Sequence, residues 1–321
     1  MVLCFPLKQY FGHRKTDIEP RTFIHLVRHG EAYHNLGHLN GKINPKSYDI
    51  QDPYLTCTGI EQAKSTREQM TRRCPVPNLV LTSPLIRTLE TTLHIFPSAN
   101  NISIYPQPQI VAYDDLRESG AYFCNVRQAT LDLANSYDHK GVDFTALSPV
   151  VPPMKSVIRT KQRAEIVRTQ ILVISKLIKK GGGLWKGIYI QGTGQNTGPR
   201  MQMKQDVHIV VVSHGSFMEY LLPRSHTIQP VWRRFKPAEM RTYVMAEDGH
   251  LDEIVESKRA RQTIILRKDN VESYVIRNST TVNGSEKGDL DTSNDGADFS
   301  GWQGSSEEFA SAEDSAEDNW C

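Results

Sequence analysis

The chain has 321 residues, a formal charge of +2 and five cysteines. That length allows a sizeable core, in one large or two ordinary domains. No run of 18 apolar residues occurs, so no membrane span is expected, and the N-terminus lacks the basic start, apolar stretch and cleavage site of a secretory signal. Cys4, Cys57, Cys74, Cys124 and Cys321 are scattered and lack metal-ligand spacing; they read as free thiols in a reducing compartment, cytoplasm by default with the nucleus as alternative.

The small net charge conceals an asymmetry. Residues 281–321 carry eleven Asp and Glu against one Lys, a local charge of −10, which leaves +12 on residues 1–280. A basic body favours anionic partners, and phosphorylated substrates are the expectation. Nucleic acid is not expected, because zinc-finger spacing, RNA-binding aromatic motifs and a dense Lys/Arg stripe are all missing.

In chain order, "TFIHLV" (22–27) reads as a buried strand running into Arg28, His29 and Gly30. "TCTGIEQAKSTREQMTRR" supplies a crossover helix with Thr58 as its N-cap. "NLVLTS" (78–83) is a second buried strand and "PLIRTLETTLHIF" a helix, with Pro84 suited to its first turn. "NISIYPQP" (101–108) is a candidate strand. In "RTKQRAEIVRTQILVISKLIKK", Ile166, Ile171, Ile174, Leu177 and Ile178 recur mostly at three- and four-residue steps, which predicts an amphipathic helix. "GGGLWKGIYIQGTGQNTGPR" (181–200) reads as a flexible excursion because of its seven glycines. "VHIVVV" (207–212) is a third buried strand, entering a helix over 217–222. "MRTYVMAED" and "RQTIILRK" are candidate late strands, with an antiparallel direction open to them.

The expected architecture is α/β: a three-layer sandwich with a mostly parallel central sheet and a helical and loop insertion, about 114–206, over the carboxyl ends of the strands. One domain is expected over 1–277, and an acidic, disordered tail over 278–321.

Each of the three clearest strands ends on polar residues: Arg28 and His29; Ser83, with Arg87 four residues on; Ser213 and His214. Adjacent parallel strands bring these ends together, where open α/β sheets bind ligands. Two arginines supply planar forks of donors for phosphate oxygens. Gly30 and Gly215 allow close backbone approach to an anion. A neutral imidazole can attack phosphorus, and "YDDLRESG" offers Asp114, Asp115 and Glu118 as acids for the leaving oxygen. Asn35 either contacts phosphate or caps a turn. His34 and His38 are spaced i,i+4, but no flanking ligand supports a metal; no metal and no cofactor are expected.

Taken in order, these segments resemble the histidine phosphatase superfamily, also called phosphoglycerate-mutase-like. Arg28-His29-Gly30 with Asn35 resembles its first-strand signature, and "LTCTGIEQA" its Leu-Thr-x-x-Gly-x-x-Gln-Ala segment. "SPLIR" is similar to its Ser-Pro-x-x-Arg segment, "LRE" to its acid-bearing segment and "VVSHGSF" to its second-histidine motif. The resemblance implies that His29 is the nucleophile, that Arg28, Arg87 and His214 bind the phosphoryl group, and that Glu118 is the proton donor. "FKPAEMRTYVM" partly resembles a stretch of a fungal branch of small phosphatases through Glu239, Arg241 and Tyr243, while "GAYFCNVRQ" replaces that branch's Pro-Cys-Asp-Thr-Gly-like run.

The implied activity is a metal-independent phosphomonoester phosphatase working through phosphohistidine. The alternatives are a mutase, whose Glu-Arg-His-Tyr-Gly run is here Glu118-Ser119-Gly120, and a non-catalytic scaffold or transcription-associated protein that keeps the fold. No Gly-x-x-x-x-Gly-Lys-Ser/Thr loop supports a kinase or nucleotide hydrolase. Tyr113, Arg117, Tyr122, Phe123, Arg127 and Lys155 are candidates for substrate preference.

Overall fold

Five strands form the parallel part of one sheet; four are mostly buried and apolar, and the fifth is the short Val142–Asp143. A computed structural model describes residues 19–39, 42–43, 47–98, 107–152, 157–193, 205–222 and 234–260. In chain order it contains β1 (Thr22–Arg28), β2 (His38–Leu39), β3 (Lys42–Ile43), α1 (Cys57–Arg73), β4 (Leu79–Thr82) and α2 (Ile86–Ile95). There follow β5 (Gln109–Ala112), α3 (Thr130–Tyr137), β6 (Val142–Asp143), α4 (Val157–Lys179), β7 (Gly182–Trp185) and β8 (Ile188–Gln191). The last described elements are β9 (Val207–Ser213), α5 (Gly215–Leu221), β10 (Met240–Met245) and β11 (Leu251–Glu253), with a helical turn over 255–260.

The main sheet has the order β11-β10-β1-β9-β4-β5-β6. Pairs from β1 through β6 are parallel, and β10 and β11 close one side antiparallel. Both faces are covered, which is why β4 and most of β9 are apolar without alternation. On one face Ile24, Leu26, Leu81, Ile209 and Val211 pack against Ala164, Val167, Ile171, Ile174 and Ile178 of α4 and Phe217 of α5. On the other, Val27, Val80, Ile110 and Val212 pack against α1 through Ala63 and Met70, α2 through Ile86 and Leu89, and α3 through Leu133. The result is the expected three-layer α/β sandwich.

Several local expectations are corrected. The N-cap of α1 is Thr56, whose hydroxyl accepts from the Gly59 N–H at 3.0 Å; Thr58 already lies inside the helix. Pro84 precedes α2 rather than opening its first turn, Leu85 being the N-cap. The candidate strand over 101–108 lies mostly outside the described residues (101–106), and β5 follows it at Gln109–Ala112. Of the insertion, residues 113–152 carry Glu118 to the carboxyl end of the sheet and add β6, whereas α4 is a layer helix on a sheet face, with Ile166 turned outward.

The glycine-rich stretch begins with a hairpin. β7 and β8 pair antiparallel around Lys186 and Gly187, both at positive φ (48° and 82°), as a two-residue turn between twisted strands requires. Trp185, Ile188 and Ile190 anchor it in the core, which composition alone did not reveal.

Cys74 and Cys124 are outside any disulfide, as expected, but Cys57, exposed at the start of α1, is disulfide-bonded. Among the described residues no helix is long and apolar enough to cross a membrane. The chain divides into compact units at Arg259/Ala260. Lys155, the candidate strand over 261–268, Cys4, Cys321 and the acidic tail lie outside the described residues.

Burial also leaves a pH signature. Glu90 of α2 accepts from the Leu55 N–H at 2.7 Å, and desolvation pushes its carboxyl up from 4.5 to about 7. The folded chain therefore holds this proton between about pH 4.5 and 7, where the unfolded chain releases it, so the group's contribution to stability falls as pH rises through that window. Glu90→Gln keeps an oxygen for Leu55 and removes the titration. Thermal unfolding should show a higher Tm than wild type at pH 8 and a shallower loss of Tm between pH 5 and 8. An unchanged slope would contradict this origin.

Candidate active site

Register brings the strand ends together. Arg28 is level with Ser213 across β1 and β9, and Thr82 with Val212 across β4 and β9, so His29, Ser83 and His214 emerge side by side. The backbone stays paired beyond the strands: His29 N–H donates to the Ser213 carbonyl at 2.9 Å and Ser83 N–H to that of Val212 at 3.0 Å. The His29 and His214 rings are 5.2 Å apart. Arg87, the second residue of α2, is fully buried beside them, and Gly215 leaves room for Arg28, whose Nε lies 3.3 Å from where a Cβ would stand.

The tautomers follow from the hydrogen bonds. His29 Nδ1 is 2.6 Å from the Gly30 carbonyl, an acceptor only, so the proton is on Nδ1 and the lone pair on Nε2. Burial, then Arg87 and Arg28, holds the imidazolium of His29 well below its ordinary range, so the ring is neutral. His214 Nε2 is 2.8 Å from the Ser83 hydroxyl, which itself accepts from the Leu85 N–H. With the Ser83 hydroxyl proton turned to Nε2, His214 carries its proton on Nδ1, an atom with no protein partner. His214 is likewise kept neutral by burial and by Arg87.

Among the described residues, the buried side-chain nitrogens and oxygens without a hydrogen-bond partner are Arg28 Nε, His34 Nδ1, Arg87 Nε, Arg163 Nε, His214 Nδ1 and Gln109 Oε1. All but the last belong to this cluster or its rim. An unpaired buried donor costs about 1–3 kcal/mol, more when charged, so such a concentration calls for an acceptor-rich anion. The remaining bonds of each guanidinium fix its aim. Arg87 donates to the Cys124 carbonyl (2.7 Å) and Asn125 Oδ1 (2.9 Å), and Arg28 donates to the Phe235 carbonyl (2.7 Å). Glu239 and Arg241, singled out in the sequence, form an ion pair at 2.7 Å, and Arg241 lies 3.9 Å over the Phe235 ring, which steadies that acceptor.

Glu118 sits at the rim. Its Oε1 accepts from the N–H groups of Ser119 (2.7 Å) and Phe217 (2.9 Å), and its Oε2 from that of Ser216 (3.3 Å). Its charge opposes the desolvation of both Arg28 and Arg87. The competing acids are committed elsewhere: Asp114 to Arg127 at 2.8 Å, and Asp115 to the Tyr113 hydroxyl at 2.7 Å.

Two expected binding residues have other work. Gly30 N–H donates to Thr91 Oγ1 at 3.0 Å, and a Cβ on Gly30 would stand 2.5 Å from the Gly59 carbonyl oxygen, so its glycine is required by the approach of α1. Asn35 caps the turn through Oδ1 to the Ala32 N–H (3.1 Å) and donates from Nδ2 to His34 Nε2 (3.2 Å). That bond leaves the His34 proton on Nδ1; the sequence offered His34 only an i,i+4 spacing with His38 that no flanking ligand supports. Burial and the two arginines push His34 down to about 3. Arg117 and Arg127 are buried in bonds to Asp114 and loop carbonyls, which makes them scaffold for the 114–152 segment.

Arg163 and Asp52 were also missed. Arg163 donates to the Glu118 carbonyl at 3.1 Å and lies 4.8 Å over the Phe217 ring. The clue was an arginine on the buried stripe of α4, between Thr160 and Ala164. Asp52, at φ 42°, accepts from the N–H groups of Ile86 (2.8 Å) and Gln128 (3.2 Å), tying the start of α2 to the loop below Arg87. Among the described residues no group of three or more His, Cys, Asp and Glu is arranged to hold a metal ion.

Residues 24–172 match the family model of the histidine phosphatase superfamily (branch 1). A probable phosphatase of Schizosaccharomyces pombe is 29% identical over 152 residues, 46% of this chain and 65% of the yeast protein. Phosphoglycerate mutase-like protein 2 of Arabidopsis thaliana is 37% identical over 79 residues, 23% of this chain and 22% of the plant protein. The match thus spans less than two thirds of either relative. Among solved structures, the ecdysone phosphate phosphatase of Bombix mori is similar at 13% identity and TM-score 0.46, over 73% of this chain and 92% of that one.

Proposed function

From the match of residues 24–172 to the histidine phosphatase superfamily, we infer that the chain is a metal-independent phosphomonoester phosphatase acting through a phosphohistidine. One observation carries the reading. A neutral imidazole with its lone pair on Nε2 is surrounded by buried, unpartnered donors on Arg28, Arg87, His34 and His214.

In the first step His29 Nε2 attacks phosphorus in line, and the ester oxygen leaves with the proton of Glu118. The two guanidiniums and the Nδ1–H of His214 hold the equatorial oxygens, already aimed before charge develops. In the second step the Glu118 carboxylate takes a proton from water, the hydroxide displaces His29, and inorganic phosphate departs. Glu118 is then protonated again and His29 is again neutral. Throughout, the Gly30 carbonyl holds the Nδ1 proton, which keeps Nε2 as the attacking atom and stabilises the positive ring that forms on phosphorylation.

The test is direct. Purified full chain should release phosphate from p-nitrophenyl phosphate in excess EDTA at the rate seen without it. Absence of turnover on a panel of monoesters would favour the scaffold alternative, and loss in EDTA would overturn metal independence.

Arg87→Lys checks the clamp. A lysine is a point charge that cannot bond Cys124 and Asn125 while also offering the Nε edge. The expected result is a loss of about 10²-fold in kcat/KM, with the fold retained by circular dichroism. A value close to wild type would remove Arg87 from the reacting group.

A further inference from the structure

An aromatic series leads from the nucleophile to solvent. The His34 ring lies 5.5 Å from that of His29, Tyr48 meets His34 edge-on at 6.3 Å, and Tyr122 lies 5.1 Å from Tyr48. Burial changes sharply along it: His29 and His34 are 1% and 8% exposed, Tyr48 and Tyr122 50% and 54%. The tyrosines come from different segments, Tyr48 from the turn Ser47–Asp49 and Tyr122 from the loop after Glu118. Neither belongs to either apolar core.

A second feature concerns the same ring. Gly120 takes φ +90°, and a Cβ there would come within 2.8 Å of the Tyr122 ring. The glycine lets Tyr122 lie back against the loop that carries the acid, toward Tyr48. Large half-exposed aromatics beside a buried polar cluster mark a binding surface. In-line attack sends the leaving oxygen away from His29, and along this aromatic series exposure rises from 1% at His29 to about half at the tyrosines. A substrate whose phosphorus lies about 3–3.5 Å from Nε2 and whose leaving group extends along the series reaches Tyr48 and Tyr122. A flat ring offers them an offset or edge contact; a polyol or an alkyl chain does not.

Resting on the phosphatase reading, we propose that Tyr48 and Tyr122 form the leaving-group subsite. The preferred substrates are then aryl phosphates, in which the ester oxygen is borne directly on an aromatic ring. The ring can belong to a small molecule or to a phosphotyrosyl side chain.

Calorimetric titration of the full chain with phenylphosphonate and methylphosphonate reads the subsite without turnover. Wild type is expected to bind the phenyl compound about tenfold more tightly, a ratio two aromatic contacts can supply. The ratio should fall toward one in Tyr48→Ala and in Tyr122→Ala, and Tyr122→Phe should restore it. Equal affinities in wild type, or an undiminished ratio in both alanine variants, would overturn the proposal. A peptide bearing phosphonomethyl-phenylalanine separates the sources: tighter binding than phenylphosphonate assigns a protein-borne ring, and equal or weaker binding a free one. Should both phosphonates bind with the expected ratio while phenyl phosphate and glycerol 3-phosphate go unhydrolysed, the phosphatase reading fails and the aromatic subsite stands.

Discussion

Alanine in place of His29 is expected to lower kcat/KM for every phosphate monoester by about 10⁴-fold or more, the scale on which loss of a covalent nucleophile is felt. No neighbour can replace it. His214 carries its proton on Nδ1 and receives the Ser83 hydroxyl on Nε2, and His34 Nε2 receives Asn35. The substitution will not be silent for the fold, as a solvent-facing strand-end residue would be. His29 is 1% exposed, and its Nδ1–H satisfies the Gly30 carbonyl. Leaving that acceptor unpaired costs about 1–3 kcal/mol, so a lowered Tm should accompany the lost activity. A folded His29→Ala chain with turnover near wild type would place the nucleophile elsewhere.

Glu118→Gln should divide substrates by their leaving groups. An alkyl phosphate needs a proton on the departing oxygen, and its kcat/KM should fall by about 10²–10⁴-fold. A p-nitrophenyl ester departs as a stable anion, so its phosphorylation step should suffer far less. Water activation is lost for both, which gives the aryl ester a burst near one equivalent and then a slow steady rate. The amide also disturbs α5, since one of its two ends must now face the N–H of Ser216 or Phe217 with a donor. A purely structural loss would lower both substrates alike and show no burst. Asp115→Asn should spare both steps, because Asp115 is engaged by the Tyr113 hydroxyl. A burst in that variant instead would move the acid to Asp115.

What was legible in the sequence is what is local to it. β4 is an apolar run, and β1 and β9 are each apolar but for one internal histidine and their polar ends; all three end at the buried cluster, so Arg28, His29 and His214 could be placed there from pattern and resemblance alone. β5, as short as β4, lies just past the segment read as a strand, and the β7–β8 hairpin hides in glycines whose positive φ serves the turn and the strand ends. Asn125 and Arg163 were not legible as site residues, because each matters through a partner far along the chain, and His34 was not, because only its burial beside His29 sets it apart. Asn125 matters by accepting Arg87, and Arg163 by holding the Glu118 carbonyl 45 residues away. Gly30 shows the converse. Its place in a motif suggested an anion, whereas its neighbour in space is Gly59.

The most direct measurement is chemical trapping. Full chain mixed with a ³²P-labelled monoester and quenched in denaturant within milliseconds should carry up to about one equivalent of label. The label should be stable to base, lost in acid, and confined after proteolysis to the peptide containing His29. Turnover without trapped label, label on another peptide, or label that survives acid would contradict a phosphohistidine at His29.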